Sequence, residues 1–209
     1  MKKKLLIAGT LLLIMSIVFT FLIVKVDVAS IGPEKTDVGF STINAKYTFD
    51  YNETIYKISE VLGYVALLIP VCYASLGAYQ LIKNKSFKKV DKRLYLLAIF
   101  YVVVLALYII FDKLALNYRP VIVDITEWPE ASYPSSHTLM SLCFTVSAVA
   151  LNKEMFKDKF KLLNVFLLIL GVAIALTRYI SGVHWFTDII GSVLISGTLI
   201  TYFKAFLKK

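Results

Sequence analysis

The sequence predicts an all-α membrane bundle of six spanning helices with both termini on the cytoplasmic side. Three observations predict it. Apolar residues make up 58% of the 209-residue chain, above the about 45–50% of a soluble domain, and mean hydropathy is +0.74. These residues gather into six runs near the roughly 20 residues needed to cross a bilayer core. Lysines collect between alternate runs, as the positive-inside bias requires. The net charge of +9 would suggest nucleic acid in a soluble protein. Here membrane topology accounts for it, and no nucleic-acid partner is expected.

The first run extends from Leu5 to Val24. Lys2, Lys3 and Lys4 precede it, as in a signal peptide. However, the run is about 20 residues against the roughly 7–15 of a signal core, and Asp27 occupies the −3 position before Ala29. It is read as a retained helix. The second run covers Ile58 to Ile82, with Pro70 as an expected kink. The third covers Leu94 to Phe111, the fourth Ser135 to Asn152, the fifth Leu162 to Thr177 and the sixth Trp185 to Phe206. Residues 1–57 hold the first helix and an external loop, and 58–206 form the core. The two parts make one integrated domain.

Orientation follows from the loops. Lys2 to Lys4, the 83–93 loop with five lysines and Arg93, the 153–161 loop with four lysines, and Lys204, Lys208 and Lys209 all fall on one side of a six-span bundle. That side is cytoplasmic by the positive-inside bias. Loops 25–57, 112–134 and 178–184 are then external. The first of these reads as an irregular connector around Gly32-Pro33, with a short amphipathic helix near Tyr51 to Glu60 and no catalytic pattern. Cys72 and Cys143 lie in apolar runs and are expected as buried free thiols. Neither has a partner at metal-ligand spacing, and no metal site is expected.

The polar exceptions concentrate in two loops. The chain has two histidines and three arginines. Both histidines, with Arg119 and Arg178, sit in or beside the last two external loops, the side that disfavours arginine. Ionisable groups at the membrane edge are costly and point to function. His184 and Asp188 are spaced i, i+4, so they are neighbours on one helical turn. A carboxylate on one ring nitrogen fixes the tautomer and leaves the other free as a nucleophile. Arg119 and Arg178 offer planar forks for phosphoryl oxygens. Ser135, Ser136 and His137 open a helix whose free N–H groups suit an anion. His137 there is placed to protonate a leaving alkoxide.

Arg119-Pro120, then Pro134-Ser135-Ser136-His137, then Arg178…His184…Asp188 resemble the three-part signature of the type 2 phosphatidic acid phosphatase superfamily, which includes vanadium haloperoxidases. The resemblance covers about residues 58–205. It implies a six-helix membrane core and a metal-independent, cofactor-free phosphatase acting on a lipid phosphate. His184 is then the nucleophile, Asp188 its orienting carboxylate and His137 the general acid. Arg119, Arg178, Ser135, Ser136 and Lys113 bind phosphate. Five residues separate Lys113 from Arg119 where the family has six, and Asp112 takes the expected place. Ser136 replaces the family's glycine, and Thr177 its serine before Arg178. The implied substrates are undecaprenyl diphosphate, phosphatidylglycerol phosphate or phosphatidic acid at the outer face of the plasma membrane. A lipid-linked phosphotransferase and a non-catalytic lipid-binding or transport protein are the alternatives.

Blander readings stand beside these. The His184–Asp188 pair alone would be a helix cap. Lys113 is either a substrate contact or a snorkelling anchor, and the arginines also have that option. Trp128, Tyr133, Tyr179 and Trp185 are expected in an aromatic belt. Glu127 and Glu130 either shape the approach to the site or form a solvated loop face. Gly171, Gly182 and Gly191 are packing or turn positions, and Gly182 also suits a close approach of its loop to substrate.

Overall fold

The computed structural model describes residues 1–126 and 128–207. Glu127, Lys208 and Lys209 lie outside the described residues, and with them the expectations placed on those three side chains. Seven α-helices follow in order: α1 Lys2–Ile23, α2 Ser41–Tyr47, α3 Glu53–Asn84, α4 Lys92–Leu114, α5 Ser136–Phe156, α6 Lys161–Ile180 and α7 Phe186–Leu207. All but α2 are long and apolar enough to cross a membrane. Among the described residues the only β pairing is two isolated bridges, Ala29 with Val38 and Tyr118 with Ala131.

Two expectations about the first external loop are corrected. The amphipathic stretch near Tyr51 to Glu60 is not a separate helix. Asn52 caps α3, its Oδ1 accepting from Ile55 N at 3.0 Å, so helix begins at Glu53 and runs unbroken into the apolar segment. A cap of this kind sets a helix start ahead of the apolar run. The separate short helix is instead α2, and it serves α7. Asn44 Oδ1 accepts from Thr187 N at 3.1 Å, and Thr48 Oγ1 accepts from Phe186 N at 3.3 Å. The first-turn N–H groups of α7, which have no intrahelical acceptor, are thus held by the segment 44–48.

α5 is the central helix, more than half buried inside the bundle along its apolar stretch, whereas the apolar stretch of α3 lies mostly on the bundle surface. A helix facing protein rather than lipid can carry polar residues. Buried Ser141, Thr145 and Ser147 donate to carbonyls of their own helix at 2.8–3.2 Å. Gly171 of α6 lies against Thr145, whose Oγ1 would be 2.4 Å from an added Cβ, so α5 and α6 approach closely through a small residue. Leu97, Val104, Leu139, Cys143, Leu151 and Phe203 form the heart of the core. α1 packs on α7: Ser16 Oγ meets Thr198 Oγ1 at 3.0 Å, and Lys2 Nζ lies 5.5 Å from the Phe206 ring centre.

Two members of the expected aromatic belt are core residues instead. Tyr133 is 1% exposed and Trp185 5%. Each ring is buried because its polar tip has a partner. Tyr133 Oη pairs with Thr20 Oγ1 at 2.8 Å, and Trp185 Nε1 donates to the Tyr118 carbonyl at 2.7 Å. Cys143 is buried as expected, whereas Cys72 is exposed on the helix surface.

Candidate active site

The α4–α5 and α6–α7 connections and the adjoining ends of α3, α5, α6 and α7 meet at one end of the bundle. The connection from α6 to α7 turns through Gly182, at φ +72°. An added Cβ there would lie 2.5 Å from Phe49 O, so this glycine lets the turn pack on Phe49 and Asp50. His184 follows, 2% exposed, and Asp188 is fully buried at the third position of α7. Asp188 Oδ2 accepts from Trp185 N at 2.9 Å, the reach-back half of a capping box. The carboxylate therefore caps α7 and faces His184 at once.

Asp188 and His184 do not touch directly. Oδ2 is 3.6 Å from His184 Nδ1, beyond hydrogen-bond reach. Ser132 bridges them. Its hydroxyl donates to Asp188 Oδ2 in a very short contact and lies 3.1 Å from His184 Nδ1. A hydroxyl has one hydrogen. With that hydrogen committed to Asp188, Ser132 Oγ accepts from Nδ1–H, and the lone pair of the neutral ring falls on Nε2. Nε2 is buried without a hydrogen-bond partner. Burial first, then the charges of Arg119 and Arg178 with His137 behind them, hold the imidazole well below its ordinary pKa. The ring is therefore neutral, with a free nucleophilic nitrogen, at physiological pH.

Arg178, at the end of α6, is fully buried and Glu60 of α3 is its counter-ion. Nη1 donates to Ser59 Oγ at 3.1 Å, Nη2 lies 2.7 Å from Glu60 Oε1, and the guanidinium sits 5.1 Å from the Tyr56 ring centre. Nη2 also donates to His137 Nδ1 at 2.6 Å. A guanidinium only donates, so Nδ1 of His137 accepts and the ring proton resides on Nε2. Gly63 makes room for this imidazole: an added Cβ would be 2.8 Å from His137 Cδ2.

A short antiparallel pairing places Arg119. Its N–H bonds Glu130 O at 3.1 Å, and Ser132 N bonds Asn117 O at 2.8 Å. This sets Arg119 beside Glu130, with which it forms a close ion pair, and Asn117 beside Ser132. Glu130 is thus a partner of Arg119 and not a solvated loop face. Ser136 lines the same crevice as Arg119, Glu130 and Asp112. Ser135 is buried and spends its hydroxyl on Thr138 Oγ1 at 3.1 Å. Lys113 is not brought to the cluster. It is exposed near the end of α4, while its neighbour Asp112 lines the crevice.

Six buried side-chain polar atoms among the described residues lack a hydrogen-bond partner, and all belong to this site: Nε of Arg119 and Arg178, Nε2 of His184, Oε1 of Glu60, Oδ1 of Asp188 and Nδ2 of Asn117. Buried polar groups are nearly always satisfied. The orphan donors among them that flank the imidazole, the Nε atoms of Arg119 and Arg178, are what a tetrahedral oxyanion would satisfy. Ser132, Ser59, Asn117 and Glu60 were not singled out from sequence. Only Glu60 carried a signal, as the one charged residue in the apolar run 58–82, where an ionisable group is a functional candidate by default.

Fold and site together define a polytopic membrane protein with a cationic, imidazole-bearing site at one end of a helical bundle. The PAP2 superfamily profile matches residues 95–209, and the chain belongs to that phosphatase superfamily. Among solved structures, the crystal structure of a transmembrane PAP2-type phosphatidylglycerolphosphate phosphatase from Bacillus subtilis is similar, with a TM-score of 0.59 and 16% identity. The match covers 79% of this chain and 83% of that one; at this identity the likeness is one of fold. No curated protein sequence matches the chain.

Proposed function

We propose that the protein hydrolyses a lipid phosphate or diphosphate through a phosphohistidine, without a metal, at the extracytoplasmic edge of the cell membrane. The observation that carries this reading is the buried, unpartnered Nε2 of His184 beside the unpartnered Nε atoms of Arg119 and Arg178. The two guanidinium groups hold the phosphoryl oxygens and neutralise charge in the transition state. Nε2 attacks phosphorus as the bond to the leaving oxygen breaks. Ser132 and Asp188 stabilise the charge that develops on the ring. With Arg178 turned to a phosphoryl oxygen, His137 Nδ1 binds a proton, and the resulting imidazolium donates from Nε2 to the leaving oxygen, which departs as a lipid alcohol or, from a diphosphate, as a monophosphate. Water then attacks the phosphohistidine, His137 takes its proton, and inorganic phosphate leaves.

The site's position supports a substrate whose headgroup enters from the membrane edge while its tail stays in lipid. The similar Bacillus subtilis protein is named for phosphatidylglycerol phosphate, which makes that lipid the first to assay, with phosphatidic acid and undecaprenyl diphosphate beside it. Purified protein is expected to release phosphate from at least one of these in EDTA. His184→Ala is expected to lose that release by at least about a thousandfold, as for other covalent catalytic groups. Wild-type turnover in this variant would remove His184 from the mechanism.

A further inference from the structure

The proposed reaction gives Glu60 no step, yet Glu60 sits at its centre. Its Oε1 is 2.7 Å from Arg178 Nη2 and 3.3 Å from His137 Nε2. The first is a donor offered to a phosphoryl oxygen. The second is the nitrogen that carries the proton for the leaving oxygen. The carboxylate therefore stands where substrate oxygens must stand. It neutralises Arg178, which is fully buried and would be costly there without a counter-charge. It does so imperfectly: Oε1 has no hydrogen bond of proper geometry, and Arg178 Nε keeps no partner. A phosphoryl group with several oxygens can supply both the charge and the missing bonds. Carboxylate and phosphate cannot share this corner, because like charges this close repel strongly where water is scarce. Glu60 has somewhere to go, since its side chain is 25% exposed and lies at the outer end of α3.

We propose that Glu60 is a resident pseudo-substrate, displaced from Arg178 and His137 by the incoming phosphoryl group, and that it sets which phosphates bind. A terminal phosphate with close to two negative charges competes well against a carboxylate. A diester phosphate with one does not. The chain's preference for monoester or terminal diphosphate groups over diesters is thus written into α3. This inference rests on the reading of the site as phosphoryl-binding and names the residue that makes it selective.

The test uses the full chain in detergent, with inorganic orthovanadate as the probe and calorimetry as the readout. Glu60→Gln keeps the shape and removes the charge. It is expected to bind orthovanadate about tenfold more tightly, the equivalent of about 1.4 kcal/mol. In lipid assays the gain is expected in KM, with a narrower gap between monoester and diester binding. Affinity equal to or weaker than wild type overturns the proposal. So does a fall in kcat with unchanged affinity, because Glu60 would then be a fixed partner that orients His137. If Glu60→Gln does not fold, Glu60→Asp takes its place. Its shorter arm should loosen the hold on Arg178 and likewise tighten orthovanadate binding, and no tightening overturns the proposal. The two readings separate in the wild type. Orthovanadate binding without turnover of any lipid phosphate removes the hydrolase while leaving the Glu60 measurement intact.

Discussion

A serine hydroxyl has one hydrogen to give, and Ser132 gives it to Asp188. That choice decides which nitrogen of His184 is nucleophilic. Ser132→Ala is expected to leave the carboxylate 3.6 Å from Nδ1 with no bridge, and to lower kcat by about 10–100-fold, the range seen when an outer partner of a working histidine is lost. Steady-state kinetics on the best lipid substrate checks this, with KM expected to move little; an unchanged kcat would show that the bridge is idle. The residues proposed to do chemistry were legible in the sequence because few side-chain types can do it. Two histidines and two misplaced arginines stand out against an apolar background. Ser132 was not legible. It is one of many serines, and its role exists only because the pairing of 117–119 with 130–132 brings it under His184. Lys113 shows the converse case. Its charge matches the family pattern but its position is one residue off, which on a helix turns a side chain by about 100°, and Asp112 lines the crevice instead.

At the scale of elements, the turn between α6 and α7 is the most constrained backbone near the chemistry. Gly182 combines a left-handed φ of +72° with an approach that leaves no room for a Cβ against Phe49 O and Asp50. Gly182→Ala is expected to cost about 1–3 kcal/mol in backbone strain, more if the contact cannot relax. It should lower both the midpoint of thermal unfolding and kcat, since the same turn joins Arg178 to His184. A variant as stable and active as wild type would show that the turn has slack. The six spanning helices were legible from run length, because lipid demands continuous apolar sequence. Their ends were less so. α3 begins at Glu53 rather than Ile58 because Asn52 caps it, and α5 continues through Asn152, whose Nδ2 donates to Asn164 Oδ1 at 2.9 Å. A polar residue inside protein does not end a helix as it would in lipid. The role of α2 could not be read at all, since Asn44 and Thr48 act on a helix more than 130 residues away in the chain.

At the scale of the whole molecule, the site occupies one end of the bundle and the lysine-rich connections 83–93 and 153–161 belong to the other. By the positive-inside bias the outward face is the one expected for the site, and thiol labelling tests it. In a chain from which Cys72 has been removed, a cysteine at position 124 in place of Asp124 should react with an impermeant thiol reagent in intact cells. A cysteine in place of Lys85 should react only after the cells are opened. The reverse pattern would turn the site to the cytoplasm. α1 and α7 also pack on each other, although Ser16 and Thr198 stand 182 residues apart in the chain. Ser16 waits for Thr198 and Lys2 for the ring of Phe206. During synthesis α1 therefore enters lipid before α7 exists, and its hydroxyls at Thr10, Ser16 and Thr20 meet Tyr202, Thr198 and Tyr133 only later. Only when α7 has followed can this seam of the bundle close.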